Sequence, residues 1–471
     1  MQKRAPKSLV ILYTGGTIGS VPLNSNQPNS PLIPAEDALQ VLLQLPSFDS
    51  VSKTVVLRGV KFPVKLLTLN KVIDSSNIQA EHWIEMAELI GSNLNNAYGA
   101  VVMHGTDTLA YTASALSFLF TNLNQPIIIT GSQLPMGKQR SDAVQNLQTA
   151  LEIAAAKYFK DPVIAEVCVY FDHSLLRGNR CTKVSANDFH AFESPNYPSL
   201  AIARRKIVYF PSRFRQASRS RGPLEWRQKI STSVASLEIF PGMNHQLFSK
   251  ICHTPELKGL VIRSYGAGNA PTTKGFLKSL RSASLCGKVL VDVTQCWSGQ
   301  VELGVYESSL GLLFCRVVSG FDCTPEAALT KLMIILGYEL PLNQVRYTMA
   351  QSLRGEQSQM NLLVDLQYCT KSNRLILNKP EIWKGLRTVQ LGLRIYDIDT
   401  FPKTMEIEVG IKSKTKRFKL DTYSSEGIPG CFIILDDLLG DFKNIDWINL
   451  MNMQVDSNTS IELFLAVEKV Y

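Results

Sequence analysis

The sequence offers no metal-ligating pattern. Its six histidines, at 82, 104, 173, 190, 245 and 253, show no H-E-x-x-H or related spacing. Its cysteines, at 168, 181, 252, 286, 296, 315, 323, 369 and 431, include no C-x-x-C pair. A metal site is therefore not expected, and an odd number of cysteines suits reduced thiols in the cytosol better than a disulfide framework. Long apolar runs are missing as well: nothing approaches about 18 consecutive apolar residues, so no spanning helix is expected. Lys3, Arg4 and Lys7 precede only Leu9 to Tyr13 before glycines intervene, too short for a signal-peptide core. Internal repeats and low-complexity tracts are absent, which argues against a solenoid. A cytoplasmic protein with no membrane partner is the expectation.

What is present is an ordinary globular composition, 45% hydrophobic and 19% charged, over 471 residues. At about 150 residues per domain this length implies two to four domains. The formal charge of +9 invites a polyanion reading until it is located. Between Arg204 and Lys229 stand nine basic residues, namely Arg204, Arg205, Lys206, Arg213, Arg215, Arg219, Arg221, Arg227 and Lys229, against the single acid Glu225. Nearly the whole surplus is local. Gly222, Pro223 and several serines punctuate it, so it reads as a solvated interdomain connection, with anion or nucleic-acid binding as the alternative; a nucleic-acid partner is not expected.

Short apolar runs alternate with helical patterns: strands at Leu9 to Tyr13, Ala100 to Met103, Pro126 to Thr130 and Val163 to Phe171, with helices near Ala80 to Leu94, Leu109 to Phe120 and Asp142 to Lys157. Strand, helix, strand at this spacing predicts parallel crossovers and a doubly wound α/β sheet. A second α/β pattern follows the basic stretch, with strands at Gly259 to Arg263 and Lys288 to Val293. A helix over Thr324 to Leu336 is capped by Thr324, with Pro325 in its first turn. After about residue 360 the pattern becomes period two, as in Val389, Leu391, Leu393 and Ile395, in Met405, Ile407, Val409 and Ile411, and in Ile461, Leu463, Leu465 and Val467. Half-buried antiparallel strands read this way. The expected division is an N-terminal α/β domain over 1–203, a basic linker over 204–235, a smaller α/β domain over 236–360 and a mainly β accessory domain over 361–471.

Three loops could carry chemistry. Thr14-Gly15-Gly16-Thr17-Ile18-Gly19 follows the first strand, where paired glycines let backbone approach a ligand. Its spacing is not G-x-G-x-x-G, and an ordinary strand-to-loop turn is the plain alternative. His104-Gly105-Thr106-Asp107-Thr108 ends another strand; Thr and Asp there are also common helix caps. Arg177-Gly178-Asn179-Arg180-Cys181-Thr182-Lys183 supplies a lysine that, beside hydroxyls and a carboxylate, can take a proton from a nucleophile, although most lysines are solvated surface charges. Gly131 to Lys138 mimics a phosphate loop, but Gln139 stands where Ser or Thr should hold magnesium, so that reading is rejected.

Taken in order, the T-G-G-T-I-G, H-G-T-D-T and R-G-N-R-C-T-K runs resemble the bacterial-type L-asparaginases, especially the cytosolic type I group. Asp74-Ser75-Ser76, Gly131-Ser132-Gln133, Arg140-Ser141-Asp142, Ala191 to Pro198 and Arg263 to Pro271 extend the similarity over roughly residues 8 to 357. The resemblance implies a two-lobed α/β core that hydrolyses L-asparagine to L-aspartate and ammonia without cofactor, as a homodimer or homotetramer. It implies Thr17 as nucleophile and Thr106, Asp107 and Lys183 as a second cluster. Asp74, Ser75 and Ser76 match substrate-binding positions, Ser75 for the α-carboxylate, and Asp107 matches the partner of the α-ammonium.

One departure stands out. Many members carry a tyrosine on the loop after the first strand, whereas Val21 to Pro34 has none and Leu32 occupies the matching place. Tyr306 matches a tyrosine that some relatives bring from the C-terminal lobe, and is expected to substitute; a packed lobe aromatic is the alternative. Arg263 and Cys296 match an allosteric asparagine site. Two other readings remain: an ammonia-releasing subunit of a tRNA-dependent amidotransferase, and a catalytically silent binding protein.

Overall fold

A computed structural model describes residues 7–24, 30–215 and 222–358, and beyond them eight strands between Val364–Cys369 and Ser460–Lys469. The chain forms two compact units, Met1–Thr232 with Arg354–Glu356, and Ser233–Leu353 with Gln357–Tyr471. The division at 232–233 falls within the stretch 204–235. In that stretch Ile207–Tyr209 pairs with Ala201–Ala203, and Glu225–Trp226 pairs with Phe120–Thr121. Charges in this stretch also have partners in the fold: Arg213 lies over the Phe210 ring and donates to the Ser199 carbonyl at 2.7 Å. Arg219 and Arg221 lie outside the described residues.

In the N-terminal unit five parallel strands form the centre of a ten-stranded sheet, in the order Val60–Thr68, Ser8–Tyr13, Ala97–Met103, Ile127–Thr130 and Val167–Phe171. Antiparallel strands extend both edges: Thr54–Leu57 and Phe48–Asp49 on one side, Ser174–Arg177, Ala201–Ala203 and Ile207–Tyr209 on the other. These edge strands are two to four residues long, too short for sequence periodicity to declare them. The crossover helices are Ala80–Leu94, Leu109–Leu119 and Ala143–Ala154. The last stops earlier than expected, with a separate turn at Ala156–Phe159, and the expected strand from Val163 begins at Val167.

Because strand side chains alternate, Leu9, Ile11 and Tyr13 share a face with Val101, Met103, Ile128, Cys168 and Tyr170. Ala143, Leu147, Ala150 and Leu151 of the third crossover helix close the same buried cluster. Burial of each such Leu or Ile side chain is worth roughly 1.5–3 kcal/mol. This packing makes the sheet a rigid platform for the loops at its strand ends.

The second unit contains four parallel strands in chain order, Val234–Glu238, Gly259–Ser264, Val289–Thr294 and Val318–Ser319. Helix Pro325–Leu336 starts as expected: Thr324 Oγ1 accepts from the Ala327 N–H at 3.2 Å, with Pro325 in the first turn. The accessory strands pair antiparallel throughout, in the order Val364–Cys369, Ser460–Lys469, Leu386–Tyr396, Gly430–Ile434, Lys414–Tyr423, Thr404–Ile411, Ile445–Leu450 and Arg374–Ile376. The three period-two runs fall within strands of this sheet.

Asp292, in the middle of Val289–Thr294, is fully buried. Ser264 Oγ donates to its Oδ2 at 2.9 Å, while Oδ1 has no hydrogen-bond partner. Burial pushes its pKa from the ordinary 3.8 up to about 8. The folded state therefore keeps a proton that the unfolded chain has released between about pH 4 and pH 8, and stability falls as pH rises through that window. Asp292→Asn, neutral at every pH, is expected to lose less stability between pH 5 and pH 8, by on the order of a few kcal/mol. Urea unfolding at the two pH values measures this; equal losses in both proteins would refute it.

Among the described residues no helix is long and apolar enough to cross a membrane, and no group of three or more His, Cys, Asp or Glu could hold a metal ion.

Candidate active site

The order of the five central strands, 2-1-3-4-5 in chain sequence, reverses between Ser8–Tyr13 and Ala97–Met103. Open α/β sheets leave a crevice at the carboxyl ends of strands on either side of such a reversal. Thr14 to Gly19 leaves one of these strands and His104 to Thr108 leaves the other. Asp74 to Ser76 lies a few residues beyond the neighbouring strand Val60–Thr68. Backbone bonds tie the exits together: Thr14 N–H and Oγ1 donate to the Met103 carbonyl at 3.1 and 3.0 Å, and Ile73 N–H donates to the Thr14 carbonyl at 3.0 Å.

The glycines set how close these loops come. Gly16 has φ 83°, and a Cβ there would lie 2.2 Å from Gly105 Cα. A Cβ on Gly105 would lie 2.5 Å from Ser75 Oγ. Thr17, Ser75 and Thr106 are therefore gathered by backbone contacts that a side chain would block. Thr17 opens a short 3-10 turn over Thr17–Gly19 and is half-buried, and its Oγ1 has no hydrogen-bond partner among the described residues. Beneath the turn, the Tyr13 hydroxyl donates to the Gly19 carbonyl at 3.5 Å. Leu32, at the place where the family resemblance led a tyrosine to be expected, is exposed on Leu32–Pro34, which pairs with Ser20–Pro22.

Lys183 joins the group from Thr182–Lys183, paired with Phe192–Glu193. Its Nζ donates to Thr106 Oγ1 at 2.9 Å and to Asp107 Oδ1 at 2.6 Å. Thr106 is buried; the Lys183 side chain is 20% exposed and that of Asp107 64%. Such a lysine is neither sealed off nor freely solvated, and its Nζ is shared between a hydroxyl and a carboxylate. Of the expected substrate-binding trio, Ser75 is buried at the convergence, whereas Asp74 and Ser76 are exposed. Asp74 Oδ1 accepts from the Ser76 N–H and hydroxyl at 2.9 and 2.6 Å, which caps the turn that holds Ser75.

His104 is a supporting group that motif reading missed. It is fully buried, and burial pushes its pKa from 6.5 down to about 4, so the ring is neutral at neutral pH. Trp83 Nε1–H donates to Thr112 Oγ1 at 2.9 Å, which leaves the Thr112 hydroxyl to donate to His104 Nε2 at 2.9 Å. The Nδ1–H of the same ring then donates to the Gly105 carbonyl at 2.7 Å. This assigned tautomer fixes the peptide that carries Thr106. No spacing rule joins positions 83, 104 and 112. Gly131, from the rejected phosphate loop, packs where a Cβ would lie 2.5 Å from the His104 carbonyl.

Tyr306, Arg263 and Cys296 belong to the second unit. Tyr306 is 54% exposed at the start of helix Glu307–Phe314. Arg263 and Cys296 lie at the carboxyl ends of adjacent strands, linked through Gln295, whose Nε2 donates to the Arg263 carbonyl at 2.7 Å. Arg263 Nη1 pairs with Glu238 at 2.6 Å, and Cys296 is an exposed thiol.

Two family models match the chain: asparaginase, N-terminal, over residues 8–215, and glutaminase/asparaginase C-terminal domain over 233–349. It is 39% identical over 360 residues to L-asparaginase 1 of Escherichia coli K12, covering 76% of this chain and 98% of that protein. A mouse 60 kDa lysophospholipase is 35% identical over 364 residues, 74% of this chain and 62% of that one. The crystal structure of L-asparaginase I from Vibrio cholerae aligns with TM-score 0.65 and 34% identity, over 75% of this chain and all of that one. With both lobes matched and a relative of this identity covered almost end to end, the chain belongs to the asparaginase family.

Proposed function

We propose that the chain hydrolyses L-asparagine to L-aspartate and ammonia, with Thr17 as nucleophile. The observation that carries this reading is the convergence of Thr17, Ser75 and the Thr106-Asp107-Lys183 cluster at the sheet's reversal point. A threonine hydroxyl is a weak nucleophile until a base removes its proton. Thr17 Oγ1 adds to the carboxamide carbon as its proton passes by way of the Thr106 hydroxyl to Lys183 acting as a neutral amine, which then returns a proton to the departing amide nitrogen. The tetrahedral oxyanion collapses, ammonia leaves with a proton, and water cleaves the resulting aspartyl ester. The N–H groups of Gly16 and Thr106 make no hydrogen bond among the described residues and are available to an oxyanion or carboxylate.

The zwitterionic end of the substrate explains the other groups. Ser75 offers a hydroxyl to the α-carboxylate. Asp107 has its Oδ1 on Lys183, which leaves Oδ2 for the α-ammonium. Asp74 and Ser76 serve by fixing the Ser75 turn. The chain works as a homo-oligomer in the cytoplasm, without a cofactor.

The test is ammonia release from L-asparagine and from L-glutamine by the purified chain. Asparagine is expected to be preferred, because one added methylene displaces the amide from the aligned hydroxyl. Lys183→Met is expected to lower kcat about 10²–10⁴-fold with the fold retained. Release that persists at the wild-type rate in this variant would remove Lys183 from the mechanism.

Arg263 and Cys296 form an allosteric asparagine site in this reading, with the effector's carboxylate competing with Glu238 for the Arg263 guanidinium. A sigmoidal rate curve that becomes hyperbolic in Arg263→Ala is expected. A curve already hyperbolic in the wild type would remove the regulatory role.

A further inference from the structure

The second unit holds a cavity that has no task in hydrolysis. Its volume is about 480 Å³, and its lining comes from two segments, 239–248 and 265–276. Each segment follows a parallel strand of this unit, Val234–Glu238 or Gly259–Ser264, and leads into a helix, His245–Cys252 or Lys274–Leu285. The cavity therefore lies where strand carboxyl ends meet helix amino ends, the place at which open α/β sheets receive ligands. Its floor is buried and aromatic. Phe248 and Phe276 stack with ring centroids 4.5 Å apart and planes 18° from parallel, beside buried Ile239 and Ala270. Phe240, 55% exposed, stands at the rim.

Folded chains fill their interiors closely, so an open aromatic cavity beside an exposed phenylalanine is a surface shaped for another molecule. Clefts of roughly 300–1,000 Å³ lined mainly by apolar and aromatic side chains are the usual seats of small ligands. The polar groups at the rim set the charge such a ligand carries. No lining residue is acidic, and neither helix has an acid in its first turn. Asn244 Oδ1 accepts from the Gln246 and Leu247 N–H groups at 2.9 and 3.1 Å, which closes the first helix end. Thr273, which lines the cavity, makes no such bond. The N–H groups of Lys274, Gly275 and Phe276 consequently have no partner among the described residues, and they carry the positive end of a twelve-residue helix. The two helix ends are close together, since a Cβ on Gly275 would lie 3.6 Å from His245 Cβ.

We propose that this cavity binds a small aromatic monocarboxylate, with its ring against Phe240, Phe248 and Phe276 and its carboxylate at the open end of helix Lys274–Leu285. An aromatic amine would fill the same ring space but bring a cation to an end that is already positive. Acetate would satisfy the helix end and gain none of the apolar burial. The lining lies wholly within the second unit and includes neither Arg263 nor Cys296. The cavity is thus separate from the hydrolytic cluster and from the regulatory pair.

The test is titration of the purified full-length chain with phenylacetate, followed by ligand-observed NMR, with acetate, phenethylamine and L-asparagine as comparators. Saturable phenylacetate binding is expected, weakened about tenfold or more in Phe240→Ala and in Thr273→Asp. Both side chains are exposed, so both variants are expected to fold. Thr273→Asp also supplies the helix end with a carboxylate of its own, which caps the helix and excludes the ligand's. Thr17→Ala is expected to bind phenylacetate like wild type, which separates this proposal from the hydrolase reading. It is overturned by an absence of saturable binding, by acetate or phenethylamine binding as tightly, by wild-type affinity in both cavity variants, or by displacement of phenylacetate with L-asparagine. An oligomer that dissociates in Phe240→Ala, with no phenylacetate bound by the wild type, overturns it in favour of a second copy of the chain as the occupant.

Discussion

Thr17→Ala is expected to lower kcat for asparagine hydrolysis by on the order of a thousand-fold or more while leaving the unfolding transition in place. The side chain is half-buried at the start of a turn whose geometry is held by Gly16, the Tyr13 hydroxyl and the Met136 N–H bond to the Ile18 carbonyl. Its hydroxyl has no partner among the described residues, so its loss breaks no structural bond. Thr106→Ala is expected to be similarly damaging for a different reason, since it removes the hydroxyl held by Lys183 at 2.9 Å. On the proposed mechanism, in which the two act in one reaction, Thr17→Ala with Thr106→Ala is expected to cost about as much as either alone rather than the product of both. Ammonia release and circular dichroism on the three variants measure this. Wild-type rates in Thr17→Ala would end its role as nucleophile, and multiplicative losses would mean that the two threonines serve independent steps.

Gly16→Ala is expected to abolish activity and to destabilise the chain by about 3 kcal/mol or more. Two costs combine at this position. Its φ of 83° lies in a region that L side chains rarely adopt. The added Cβ would also stand 2.2 Å from Gly105 Cα and 2.3 Å from Gly105 N, and neither backbone atom can swing aside as a side chain would. Gly59 provides the control, since its φ is 76° but nothing lies within 4 Å of its would-be Cβ. Gly59→Ala is expected to cost only about 1 kcal/mol and no activity. The difference between the variants, read by urea unfolding and by kcat, isolates the close approach of the Gly16 and Gly105 loops. Equal stability and activity would show that this approach is not required.

The motif loops were legible because glycine, threonine and lysine in those contexts have narrow physical uses. The same logic shows where the sequence was silent. Arg177 and Arg180 share a run with Lys183 and could have been taken for chemistry, but they are buried against Glu166 and Gly355. The neutral His104 depends on Thr112 and Trp83, which sit on two different helices. The antiparallel edges of the large sheet came from strands too short to show a period.

By itself the sequence determined the alternation of strands and helices, the three ordered motifs and the change to period two after residue 360. Each of these is set by neighbours within a few residues, through side-chain alternation, helix capping or backbone freedom at glycine. Only the tertiary structure decided which motif residues meet. It placed Gly16 against Gly105 and Lys183 between Thr106 and Asp107, and it turned the basic stretch into paired strands. Those outcomes depend on contacts between residues tens to hundreds of positions apart, fixed by strand order and core packing that no local pattern encodes.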